Sequence, residues 1–164
     1  MNKQVRLALV ILVCIYFWHY TATYTEWHFI DNVDLIFHEA GHLIFMFFGM
    51  FIHVLAGSAF QVALPLGIAG YFFYTRQNIS GWICVMWAGQ NLLNVSLYAR
   101  DALVMQLPLL GGDSVIHDWN YLLSTTGLLY HAQEVGNVIY TLGIFTLIAG
   151  GAMALYFSLK RPNY

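Results

Sequence analysis

The chain has 164 residues, of which 60% are hydrophobic and 9% charged, with a formal net charge of -2. With a mean hydropathy of +0.65, that balance excludes an ordinary soluble domain. The lack of a basic surplus argues against any nucleic-acid partner. No basic residue falls between Arg6 and Arg76, or between Arg100 and Lys160. Each gap leaves room for at least two bilayer crossings at about 20 residues apiece. The expected fold is an all-α polytopic transmembrane helical bundle of about five or six membrane segments, forming a single integral membrane domain over residues 1–164.

Lys3 and Arg6 precede a first apolar run, expected as a helix over residues 5–24. It reads as a retained membrane helix rather than a cleaved signal peptide, because the run continues through Trp18 and Tyr20 with no small-residue cleavage pattern. After TEWHFIDN comes a second helix, expected over residues 33–55, where Asp31, Asn32 and Asp34 suit a helix N-terminus. A third, over 57–74, contains Pro65, Gly67 and Gly70 and invites a kink or a re-entrant course. A fourth, over 80–106, ends at LPLLGGD. The stretch 117–131 is too short for a confident span, and a last helix is expected over 135–159. Basic residues at both chain ends place both termini on the cytoplasmic side, which requires an even number of crossings. The expected location is a cell membrane of the bacterial inner-membrane type. Cys14 and Cys84 lie in apolar runs without CxxC spacing and read as small hydrophobes.

The second helix contains HEAGH, residues 38–42. On a helix, positions i and i+4 lie about 40° apart and one turn along the axis, so His38 and His42 can close on one metal ion. Glu39, about 100° from His38, is placed to reach a metal-bound water as general base. Ionisable groups in an apolar helix cost roughly 2.5–3.5 kcal/mol each at the bilayer centre, which favours a functional cluster over a chance one. The expected cofactor is Zn²⁺, and a catalytic zinc needs a further protein ligand. GGDSVIHDW offers three, in the order Asp118, His117, Asp113. His53 follows His42 by eleven residues and so lies on nearly the same helix face, but about 16 Å along the axis, which excludes it from the same ion. His19, His28 and His131 read as interfacial or hydrogen-bonded histidines. Asn91 and Asn94, three apart on one helix, are candidates either for bridging helices or for holding substrate.

These features resemble the site-2 protease class of intramembrane zinc metalloproteases. HEAGH in an early apolar helix, AGQNLLN in a later one and an acid on a Gly-rich turn after LPLL carry the resemblance, over roughly residues 33–120. The resemblance implies that His38 and His42 bind zinc with a later aspartate, that Glu39 is the base, and that an asparagine helps hold an extended substrate. Two departures stand out. Gly89 precedes Asn91 and Asn94 by two and five positions instead of four, and GGDSVIHDW replaces a Leu-Asp-Gly turn. The implied function is zinc-dependent hydrolysis of a peptide bond in or near the bilayer, in a membrane-protein or membrane-peptide substrate, by a minimal core with no appended regulatory domain. The alternative is a non-catalytic haem- or metal-binding membrane protein.

Overall fold

The computed structural model describes residues 2–107 and 116–160. Among them every regular element is helical: α1 (Lys3–Ala22), α2 (Phe29–Phe45), α3 (Met50–Tyr74), α4 (Asn78–Arg100), α5 (Asp118–Thr125) and α6 (Ala132–Leu159). Asp113 lies outside the described residues.

The long helices α1, α3, α4 and α6 alternate in direction along the chain. Arg6 at the start of α1 donates to the carbonyl oxygens of Ser158, at 2.8 Å, and Lys160, so both ends of the described chain meet at one end of the bundle. At the other end, Arg100 closes α4, donates to the Tyr24 hydroxyl and lies 5.0 Å from the Tyr140 ring. Helices α4 and α6 make the most extensive contact, and small residues set their separation: a Cβ at Gly143 would stand 3.0 Å from the Gly89 carbonyl oxygen. Phe17, Tyr20, Met86, Leu93 and Leu147 fill the core between α1, α4 and α6.

Among the described residues, three helical segments are long and apolar enough to cross a bilayer: α1, α3 and Leu129–Leu159, which contains α6. This character is compatible with a membrane protein.

The principal correction concerns the expected helix over 33–55. It is two elements: α2 ends at Phe45, a 3-10 turn covers Met46–Phe48, and α3 begins at Met50. The break falls at Gly49, whose φ of +88° is a conformation that a side chain would strain. Helix α3 then runs unbroken through Pro65, and α4 stops at Arg100 instead of 106. Of the stretch 117–131, only Asp118–Thr125 is α-helix, followed by Gly127 at φ +74° and a 3-10 turn at Leu129–His131.

Helix α2 is 17 residues long and inverts the pattern of a soluble helix. Asp31, Asp34, His38 and Gly41 are its buried residues, at intervals of three, four and three, which is one helical stripe. Phe29, Ile36 and Leu43 lie on the exposed side. The polar stripe faces inward: Asp31 meets Gln90 and Asn94, Asp34 meets Trp87, and His38 faces Tyr98, all on α4. Because α1 ends and α3 begins at the same end of the bundle, α2 starts and finishes toward that end.

Candidate metal centre

His38 and His42 project from α2 toward α3, where Gly57 leaves them space. A Cβ at Gly57 would stand 2.6 Å from Nε2 of both imidazoles. Asp118, in the first turn of α5, approaches from the other side. Its Oδ2 lies 2.8 Å from His38 Nε2 and 3.2 Å from His42 Nε2. Metal–ligand bonds of 2.0–2.2 Å imply ligand–ligand edges of about 3.3–3.6 Å in a tetrahedron. To hold an ion, Asp118 Oδ2 would need to draw back by about 0.5–0.8 Å from His38 Nε2 and by about 0.1–0.4 Å from His42 Nε2.

The hydrogen-bond network fixes which imidazole nitrogens carry hydrogen. His42 Nδ1 is 2.8 Å from the His53 carbonyl oxygen; a carbonyl only accepts, so Nδ1 carries the hydrogen and a neutral ring leaves Nε2 bare. For His38 the logic starts at Asp31, whose carboxylate is 2% exposed. It accepts from the Tyr20 hydroxyl (2.8 Å), Gln90 Nε2 (3.3 Å), Asn94 Nδ2 (3.2 Å) and the His28 backbone N–H (2.7 Å). With Asn94 Nδ2 committed to Asp31, its Oδ1 accepts from Gln61 Nε2 at 2.9 Å. Gln61 Oε1 then faces His38 Nδ1 at 3.1 Å. His38 Nδ1 is therefore the donor, and Nε2 is again bare. Two imidazole lone pairs and a carboxylate oxygen thus point at one another with no hydrogen assigned between them. That is an unfavourable grouping for acceptors alone and a suitable one for a cation.

Several groups hold Asp118 in place. Its backbone N–H donates to the Tyr98 hydroxyl at 3.1 Å, Trp119 Nε1 donates to Ser58 on α3 at 3.1 Å, and Asn120 Nδ2 donates to the Ala102 carbonyl at 2.8 Å. His117, an alternate ligand by sequence, is turned elsewhere. Its Nδ1 accepts the Asn120 N–H at 3.2 Å as the cap of α5, and its Nε2 faces Asp101 Oδ2 at 3.3 Å. Asp101 also accepts the N–H groups of Gln106 and Leu107, both at 2.9 Å, shaping the chain after α4.

A cavity of about 870 Å³ surrounds the trio. Glu39, Gln61, Asn94 and Tyr98 line it, together with apolar side chains such as Leu35, Val54 and Ile116, and it extends to Tyr24–Trp27 between α1 and α2. Glu39 is exposed within this space. Asn91 is fully buried and apart from the cavity lining: its Nδ2 donates to the Trp87 carbonyl at 3.0 Å. Asn94 lines the cavity, but its side chain is already engaged by Gln61 and Asp31.

His53 requires a second correction. Because the chain turns back at Gly49, its ring centroid lies 5.2 Å from that of His42, and its Nδ1 donates to the His42 carbonyl at 2.9 Å. The separation of about 16 Å assumed a continuous helix. His53 nonetheless stays outside the converging trio of His38, His42 and Asp118; its backbone carbonyl is what serves His42. Gln61, Tyr98 and Asp101 are the residues that sequence reasoning did not single out for the site. An amide in the apolar run SAFQVALPL was the available signal for Gln61.

Comparison with known protein families, with curated proteins and with solved structures finds no match for this chain.

Proposed function

We propose that the chain is a zinc-dependent membrane metallopeptidase similar to the site-2 protease class, hydrolysing a peptide bond in or near the bilayer. The convergence of three bare acceptor atoms, His38 Nε2, His42 Nε2 and Asp118 Oδ2, carries this reading. A third donor that is a carboxylate favours a metal ion over haem. Zn²⁺ held by such a set brings the pKa of its water to about 7 and polarises a carbonyl.

The chain's own groups would do the rest. Glu39, one residue from His38 and open to the cavity, accepts a proton from the attacking water and delivers it to the leaving amine. Gln61 and the His53 carbonyl hold the two imidazoles in the tautomer that presents Nε2 and fix their ring orientation. The apolar walls suit an extended segment of a membrane protein or membrane peptide. Asn94 has a second amide hydrogen to offer its backbone, which gives it the substrate-binding role over the enclosed Asn91.

Six helices lie in the membrane in this proposal. Helices α1, α3, α4 and α6 cross, while α2 and α5 are inserted from one side. Four crossings put both termini on one side. Charge supports that side being the cytoplasm: Lys3, Arg6, Arg76 and Lys160 stand at the end where the chain termini meet, and Arg100 at the other. The acids Glu26, Asp31, Glu39, Asp101, Asp118 and Glu134 lie toward the opposite end, with Asp34 at mid-height beside Trp87. The cavity then opens away from the cytoplasm.

Metal analysis of the purified protein beside a Glu39→Gln variant tests the reading. The expected result is one zinc per chain in both, with cleavage of a membrane peptide only by wild type. Wild type without stoichiometric metal, or normal cleavage by Glu39→Gln, would overturn it. Iron in place of zinc would reassign the site to oxygen chemistry, and a Soret band would indicate haem.

A further inference from the structure

The groups facing the cavity differ in how many of their hydrogens are already committed. His38, His42 and His53 each use Nδ1–H internally. Gln61 and Asn94 each spend an amide hydrogen on the chain to Asp31. Each amide keeps its second hydrogen. The Tyr24 hydroxyl, at the far end, accepts from Arg100 and keeps its own hydrogen. Tyr98 does the same, but beside the trio. Its hydroxyl oxygen accepts the Asp118 N–H at 3.1 Å, and its one hydrogen has no acceptor among the described residues.

That hydroxyl is also held firmly beside the trio. The Tyr98 ring packs on His117 with centroids 4.4 Å apart and edge-on to His38 at 6.1 Å. It lines the same cavity as Glu39. The hydroxyl oxygen is therefore held next to the third ligand, and its hydrogen is free to turn into the cavity.

We infer that the Tyr98 hydroxyl donates a hydrogen bond to the carbonyl oxygen of the scissile peptide as that oxygen gains negative charge, an inference that rests on the peptidase reading above. The water oxygen adds to the carbonyl carbon, the C–N bond breaks, and Glu39 carries the proton to the amine. Tyr98 keeps its own proton throughout and acts only as a fixed donor. A donor of this kind is in place before the charge develops, and removing one costs about 10²–10³ in kcat.

Tyr98→Phe in the full-length, zinc-loaded protein tests the inference because it removes only the hydroxyl. The expected result is wild-type zinc content, a kcat lower by about 10²–10³ and KM changed little. A phosphinic peptide, whose anionic oxygens mimic the charged carbonyl, should bind at least about tenfold more weakly to the variant, while cleaved product binds equally. Unchanged kcat and phosphinate binding would overturn the role of Tyr98 and leave the peptidase reading standing. Loss of zinc in Tyr98→Phe would make the hydroxyl a support for Asp118, which also overturns it. If wild type holds no zinc and cleaves nothing, the peptidase reading fails and this inference fails with it.

Discussion

Where α1 begins and α6 finishes, the bundle is held by Arg6 bonding to backbone carbonyls and, farther in, by small residues packed against α4. At the other end α2 buries two aspartates and a histidine, and α5 brings a third carboxylate against them. The first region uses burial that apolar sequence supplies at low cost. The second buries polar groups that each need a partner, at a penalty of roughly 1–3 kcal/mol for any left unpaired. Asp34 Oδ2 and Asn91 Oδ1 are such unpaired atoms. Among the described residues this burden gathers around α2, the pattern expected where polar groups are kept for a function, as the proposal above requires.

Substitutions at the two ends should therefore fail differently. The largest effect is expected from Asp118→Ala, which leaves two bare imidazole nitrogens facing each other. Zinc affinity, measured by competition with a chelator, should fall by more than about 100-fold, beyond what a supporting group contributes. Glu39→Gln should keep the metal and lose about 10²–10⁴ in cleavage rate, read by turnover of a membrane peptide. Gln61→Ala frees His38 Nδ1 and should weaken zinc binding by about 10–100-fold without altering the fold, as circular dichroism would report. Gly57→Ala places a methyl group against both imidazoles and should cost about 1–3 kcal/mol, with the loss shared between stability and metal binding. Smallest is Arg6→Ala at the opposite end. It should lower stability in detergent by about 1 kcal/mol and leave zinc content and turnover unchanged. Equal effects of Arg6→Ala and Gln61→Ala on metal binding would erase the distinction between the two regions.

Helical character and the pairing of His38 with His42 were legible because both rest on local rules, apolar run length and i, i+4 spacing. Asp118 was legible as one of three candidates. What separates it from His117 is the capping geometry of α5, which turns His117 toward Asp101. The hairpin at Gly49 was not legible. In lipid-facing sequence the residues around a turn stay apolar, and FFGMF carries one glycine with no polar neighbour to mark it. That omission also hid the return of His53 to the side of His42. Asn91 and Asn94 share a helix and look alike in sequence, yet only Asn94 lines the cavity. Asn94 reaches Asp31 on α2 and Gln61 on α3, whereas Asn91 turns back to the Trp87 carbonyl of α4, a difference that spacing along α4 does not contain.

Zinc content of the purified wild-type chain, measured beside Asp118→Ala, His38→Ala and Glu39→Gln, bears most directly on the metal centre. One zinc per chain is predicted for wild type and for Glu39→Gln, with none retained by Asp118→Ala or His38→Ala. A wild-type protein without metal, or an Asp118→Ala variant that holds zinc as tightly as wild type, would contradict the account.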